Sequence, residues 1–272
     1  MQSNMYSTKR LVLFVMFIIL LVWILAYPIA RSLPDEFFKD PVSPIYNGLN
    51  VLFTALAFGG LIVTLIIQVN DAKIARRESL EKSIFELFQI FTAVDFQVVK
   101  DSAYRVLLAS VKDKDYAEFV ASRLFVIEQL PLPISSNATL TSLDINKKDL
   151  DYNSLVNSDR ADRLMLDNIL NFFALLAQRE SSSMVIKHCD FAYDWWRPVL
   201  WIIAQLQADR YKGSQKIQYY CKNQLIVTTL KTLDQIYGHT PLDSSEDVWK
   251  YISNHPKLLD FELDARFLAK AK

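Results

Sequence analysis

Residues 49–68 read LNVLFTALAFGGLIVTLIIQ and decide the character of the N-terminal region. They lie in a run from Pro41 to Asn70 that contains no charged residue. A helix of about 20 apolar residues is long enough to cross the hydrocarbon core of a bilayer, which is roughly 30 Å thick. The stretch therefore predicts a membrane-spanning helix over residues 47–68.

A second apolar run, LVLFVMFIILLVWILAY, occupies residues 11–27. Trp23 and Tyr27 lie near its end, where aromatic side chains favour the membrane interface. A cleaved signal peptide also follows basic residues, but this run is longer than a usual signal core and no good cleavage site follows it. We therefore expect a transmembrane hairpin within residues 1–70, with spans at 11–29 and 47–68.

A set of mostly polar residues recurs along one side of the second span. Their alternating spacing of four and three residues places them on one narrow seam of a helix. The first span has no hydrogen-bonding side chain before Trp23, so the seam is expected to self-associate with copies of itself. Small residues on other positions permit close helix packing. The seam comprises Asn50, Thr54, Ala57, Leu61, Thr64 and Gln68, and the small residues are Ala55, Gly59 and Gly60.

Basic residues predict the orientation, because loops rich in lysine and arginine stay in the cytoplasm. Two precede the first span, two lie between the spans, and a cluster follows the second span. Both termini are therefore expected to be cytoplasmic. These residues are, in order, Lys9, Arg10, Arg31, Lys39, Lys73, Arg76, Arg77 and Lys82.

Residues 71–272 predict a cytoplasmic domain in which helices are almost continuous, so the expected class is all-α. The second span is expected to continue as a stalk helix past Val99, with apolar residues facing a core at Ile84, Leu87, Phe88, Phe91, Val94 and Val98. Residues 131–142 and the prolines of residues 31–44 predict loops. Further helices are expected at 101–111, 115–130, 159–179, 183–189, 191–209, 214–237, 245–254 and 256–270.

The sequence carries no recognised catalytic motif, which favours a protein without enzymatic activity, cofactor, metal or small-molecule substrate. His188, Cys189 and Asp190, with Asp194, are the best metal or nucleophile candidates. Adjacent helical residues point about 100° apart, so packing is the simpler interpretation. The aromatic group Tyr193, Trp195, Trp196 and Trp201 predicts a core corner or, alternatively, a docking surface.

The segment from residue 210 to residue 231 has five basic residues and no acidic one. This segment would form a basic stripe interleaved with tyrosines, most of it on the predicted helix 214–237. Such a stripe is often a solvated face, but it can also bind phosphates of nucleic acid or lipid. The basic residues are Arg210, Lys212, Lys216, Lys222 and Lys231, and the tyrosines are Tyr211, Tyr219 and Tyr220.

Two blocks of residues carry a family resemblance. The second span resembles the signature of phage abortive-infection two-span membrane proteins, and a later block is similar to a weaker second motif of that family. The residues Gln68-Val69-Asn70-Asp71 depart from the charged run that the family has there. The first block is Leu49-Asn50, Leu52-Phe53, Leu56-Ala57-Phe58, Gly60-Leu61-Ile62 and Gln68, and the second is Trp196-Arg197, Leu200, Tyr211, Tyr219, Gln224 and Leu225.

This resemblance implies a bacterial inner-membrane effector that damages or depolarises the membrane of an infected cell. Some similar two-span proteins belong to retrons, in which a reverse transcriptase and its RNA-linked DNA would be the partner of the cytoplasmic domain. The alternative is a membrane-anchored sensor or scaffold that is not itself toxic. A membrane-tethered hydrolase is the third hypothesis.

Overall fold

Within the described residues the chain consists of helices and the loops that join them. This computed structural model describes residues 13–14, 17–18, 20–21, 24–25, 28, 42–221 and 225–269. These ranges contain no β-strand, so the all-α prediction is confirmed for them. The chain divides into two units, Met1–Ser79 and Leu80–Lys272.

Helix α1 runs from Val42 to Thr92 and contains the predicted second span. It begins before residue 47, and Pro44 does not prevent this because it lies in the first turn of the helix. Backbone N–H groups there have no intrahelical acceptor, so proline is tolerated. The expectation of a loop through residue 44 was therefore wrong. The described residues between 13 and 28 are also helical, and the remainder of the predicted first span lies outside the described residues.

A break at Ala93 separates α1 from helix α2, which runs from Val94 to Lys112. Ala93 is extended, with ψ 145°, although neither glycine nor proline is nearby. Phe91 before the break and Phe96 after it pack with ring centroids 5.9 Å apart. Five residues of continuous helix would turn these side chains roughly 140° apart. The break therefore brings both helices onto the same core.

The break also changes which residues of α2 are buried. Val94 and Val98 were predicted to continue the core face of α1, but they are 85% and 65% exposed. Ala103 and Leu107 are fully buried in the core instead. The prediction failed because it assumed an uninterrupted helix past Val99, and the extended residue changes the rotational register.

The remaining helices belong to the second unit and follow in chain order. Short 3₁₀ turns occupy Ile134–Ser136, Ile145–Lys147 and Glu180–Ser182. The helices are α3 (Lys114–Arg123), α4 (Asn137–Leu143), α5 (Tyr152–Ala177), α6 (Ser183–Cys189), α7 (Tyr193–Gly213), α8 (Gln215–Tyr220), α9 (Ile226–Tyr237), α10 (Ser245–Asn254), α11 (Pro256–Asp260) and α12 (Ala265–Leu268).

Several predicted bounds are confirmed and others are wrong. Helices α6 and α10 have the predicted limits, and α9 ends at Gly238, whose φ of 80° suits glycine. The predicted helix 115–130 ends at residue 123, and the predicted loop 131–142 contains most of α4. Helix α5 begins at residue 152 rather than 159 because the Asp151 carboxylate accepts a hydrogen bond from Ser154 N. The predicted helix 256–270 is divided into α11 and α12.

Helix α7 lies at the centre of the second unit. Its residues 196–208 are buried on every side, as expected for a helix surrounded by others. It packs against α2, α3, α9 and α10. The Gln207 side chain accepts a hydrogen bond from Ile226 N at 2.9 Å, which satisfies a free donor in the first turn of α9.

The predicted helix 214–237 is divided into α8 and α9, so that prediction was wrong. Cys221 ends α8 and is buried with Ile217 and Phe125 in a small separate apolar cluster. Leu225 is extended, and α9 then packs against α5 and α7. Burial of two separate apolar groups favours two helices over one.

Candidate functional site

The exposed apolar surface of α1 is the first candidate. An apolar window within Asn50–Thr92 has a mean hydropathy of 2.3, and only 6% of it is buried. Phe53, Phe58 and Leu61 are 65%, 65% and 63% exposed. By length and composition, α1 is the one helix within the described residues that could cross a membrane.

The polar seam lies along the exposed side of this segment. All six of its residues, from Asn50 to Gln68, are exposed. Thr54 Oγ1 donates to Asn50 O at 2.7 Å, and Thr64 Oγ1 donates to Gly60 O at 2.8 Å. Both hydroxyls thus find acceptors in their own helix, contrary to the expectation that they need partners. Within the described residues the amides of Asn50 and Gln68 make no side-chain hydrogen bond.

The opposite side of the same segment is covered. Gly59 and Val63 are buried and Ala55 is half-buried, and their spacing of four residues aligns them on one side. Gly60, which was grouped with Ala55 and Gly59 for helix packing, is exposed instead. Apart from the backbone of its own helix, no atom of the described residues lies within 4 Å of the position that a Cβ on Gly60 would take. The segment therefore has a covered small-residue side and an exposed polar side.

The predicted basic stripe is distributed over three helices. Arg210 lies in α7 and donates to Glu128 O. Lys231 lies in α9, with its Nζ 3.3 Å from Asp243 Oδ1. Lys222 lies outside the described residues. The described residues of the stripe therefore do not lie on one helix, because the predicted helix 214–237 is divided and Arg210 and Lys212 belong to α7.

A smaller basic and aromatic surface remains around α8. Lys212 and Lys216 are exposed there, and Tyr219 and Tyr220 are 72% and 63% exposed. The two tyrosine rings contact each other edge to face, with centroids 4.9 Å apart. Glu128 lies at the same surface, where its carboxylate accepts a hydrogen bond from Ser214 Oγ. The structure thus keeps part of the predicted polyanion-binding set together.

The histidine and cysteine candidates do not converge. His188 Nδ1 is 2.6 Å from Met184 O in its own helix, and Cys189 is buried. Asp194 pairs with His239 Nε2 at 2.7 Å. The described residues contain no group of three or more histidine, cysteine or acidic side chains that could hold a metal.

The aromatic group at the start of α7 is mainly core. Tyr193, Trp196 and Trp201 are buried, whereas Trp195 is 41% exposed and packs on Tyr104 with centroids 4.3 Å apart. Lys257 Nζ lies 3.8 Å from the Trp195 ring centroid and donates to Trp195 O. Burial lowers the pKa of Lys257 to about 8. The sequence offered no signal that would bring residue 257 here.

Two buried ionic networks also escaped sequence analysis. Arg197 binds both carboxylate oxygens of Asp234, at 2.7 and 2.9 Å, and Tyr193 donates to the same carboxylate at 2.7 Å. Asp162 accepts from Arg105 at 2.8 Å and from Lys147 at 2.5 Å.

Burial alone would raise the pKa of Asp162, but the hydrogen bonds and the positive charges of Arg105 and Lys147 together outweigh burial and lower the pKa. Because both networks are buried and paired, they join helices rather than form an open reaction centre.

Comparison with known proteins found no match among protein-family models, curated proteins or solved structures.

Proposed function

We propose that the protein is a membrane-anchored effector of bacterial antiphage defence that acts through α1 and not through catalysis. In this proposal the protein is multi-pass in the inner membrane with both termini cytoplasmic. Infection releases or triggers it, and the membrane is then damaged or depolarised. The antiphage and retron setting, with a reverse transcriptase and RNA-linked DNA as partner, comes from the sequence resemblance alone.

The exposed polar seam is the observation that carries this proposal. An apolar helix that only anchors a domain needs no polar line on its exposed side. Asn50 and Gln68 place amide groups there, and amides buried in lipid favour partners on neighbouring helices. Each such hydrogen bond contributes only about 0.6 kcal/mol on average, so an assembly of several chains could rearrange readily. Self-association along the seam would provide a leak path.

A membrane-anchored sensor or scaffold is the second candidate, and one observation favours it. Thr54 and Thr64 satisfy their hydroxyls within α1, so only two of the seam's side chains still require partners. A helix with fewer unsatisfied polar side chains is more easily tolerated in lipid as a simple anchor.

The test is entry of a membrane-impermeant dye into bacteria that express the full chain, with and without phage infection. The wild type should admit dye in at least one condition. Asn50→Leu combined with Gln68→Leu should remain in the membrane fraction and admit none. Val51→Leu combined with Ile62→Leu, a matched pair of exposed positions off the seam, should behave as the wild type.

Two results would contradict the effector proposal in different ways. Dye entry in the Asn50/Gln68 double variant equal to the wild type would reject the seam as the route of damage. No dye entry in the wild type under either condition would favour the sensor or scaffold.

A further inference from the structure

A cavity of about 190 Å³ lies beside the break between α1 and α2. Phe91 of α1 forms one wall, and Tyr104 of α2 with Trp195 and Trp196 of α7 form others. All of these residues belong to the second unit, so the cavity is independent of the membrane segment. Most of its exposed lining is apolar.

The aromatic walls hold one another in place. The Trp195 ring packs on Tyr104 at 4.3 Å and edge to face on Trp196 at 5.0 Å between centroids. Phe91 stacks on Phe172 at 5.1 Å. Rings fixed from behind in this way present a preformed apolar surface, which lowers the entropic cost of binding.

Lys100 supplies a positive charge inside this apolar cavity. Its Nζ lies 4.6 Å from the centroid of the Phe91 ring. Within the described residues it has no hydrogen-bond acceptor and no ion-pair partner. Gln97 and Asp101 also line the cavity, and the Asp101 carboxylate accepts a hydrogen bond from Gln97 Nε2 at 2.8 Å. Lys100 is thus the lining charge that is left without a hydrogen-bonding partner among the described residues. An ammonium group next to apolar walls favours an anion, because charge-assisted hydrogen bonds are the strong ones.

Size and charge define the ligand. The cavity is smaller than drug-binding pockets, which occupy roughly 300–1,000 Å³, so it suits one or two aromatic rings. A single lysine matches one negative charge, whereas phosphate sites usually gather several donors or a bidentate arginine. We propose that this cavity binds a small aromatic carboxylate, with its rings against Trp195 and Trp196 and its carboxylate on Lys100 Nζ.

This proposal does not depend on the function proposed above. It is tested by isothermal titration calorimetry of the full-length protein in detergent, with 2-naphthoate as the probe. The wild type should bind saturably, with a dissociation constant at or below about 1 mM. The neutral analogue 2-naphthamide should bind about tenfold or more weakly, because its uncharged carbonyl oxygen cannot form an ion pair with the Lys100 ammonium.

Lys100→Gln should weaken 2-naphthoate binding by about tenfold or more and leave 2-naphthamide binding unchanged. Lys148→Gln, at an exposed lysine remote in sequence, is the matched control and should bind as the wild type. If Lys100→Gln fails to fold, the comparison of 2-naphthoate with 2-naphthamide on the wild type still tests the proposal. Equal affinity for both probes, equal affinity of Lys100→Gln and wild type for 2-naphthoate, or no saturable binding would overturn the proposal.

Discussion

The two parts of α1 carry similar apolar side chains in opposite surroundings. In residues 50–70, Phe53 and Phe58 are each 65% exposed, whereas near the end of the helix Ile84 is fully buried and Phe91 is 5% exposed. Apolar spacing thus identifies residues that avoid water but not what covers them. The end of α1 is covered by other helices of the second unit, and its earlier part leaves an apolar surface that a membrane would cover.

The largest expected effect is on the free energy of unfolding, which should depend on the end of α1 and not on its earlier part. Phe91→Ala should lower the free energy of unfolding by about 3–5 kcal/mol, because it removes a buried ring from the aromatic core. Phe58→Ala should change it by less than about 0.5 kcal/mol, because no core ring is lost. Denaturant unfolding of the full chain in detergent, monitored by near-ultraviolet circular dichroism, measures both. Equal losses in the two variants would contradict the comparison.

A charge tests whether the exposed apolar part enters a bilayer. Phe58 is 65% exposed and lies near the middle of the predicted span 47–68, so Phe58→Arg should oppose insertion by about 2.5–3.5 kcal/mol. Val98, 65% exposed in the second unit, gives the matched variant Val98→Arg, which should leave insertion unchanged. The fraction of protein that resists alkaline extraction from membranes is the measurement. Unchanged extraction of Phe58→Arg would argue against a span.

The smallest expected effect is an acid dependence confined to the packed unit. Burial alone would raise the pKa of Asp264, but hydrogen bonds from the Arg266 side chain and backbone and from Lys114 N lower it to about 2. A carboxyl whose pKa is lower folded than unfolded stabilises the fold above its unfolded pKa, and this contribution disappears as pH falls from about 4 to about 2.

Asp264→Asn should therefore cost about 1 kcal/mol at pH 6, after allowance for solvent screening, and almost nothing at pH 2. Urea titrations of wild type and variant at both pH values measure the difference. A cost that is the same at both pH values would mean that the carboxylate charge contributes nothing. Residues 41–70 contain no aspartate, glutamate, histidine, lysine or arginine, so no group there titrates in this pH range.

Local signals account for the successful sequence predictions. The all-α class, the limits of α6 and α10, and the end of α9 at Gly238 depend on neighbouring residues, such as the glycine with positive φ and the Ser244–Asp247 capping box of α10. The periodic positions of the seam likewise follow from the chain alone. Helical geometry converts such spacing directly into a side of the helix.

Tertiary packing determined the features that sequence analysis missed. Ala93 breaks the helix without a glycine or proline, since the break lets Phe91 and Phe96 share one core. The predicted helix 214–237 is divided because its apolar residues pack against two different groups, and the basic residues separate with it. The association of Lys257 with Trp195, and of Lys100 with an aromatic cavity, joins elements distant in sequence. These outcomes depend on the total apolar surface that several helices bury together, which no local pattern specifies.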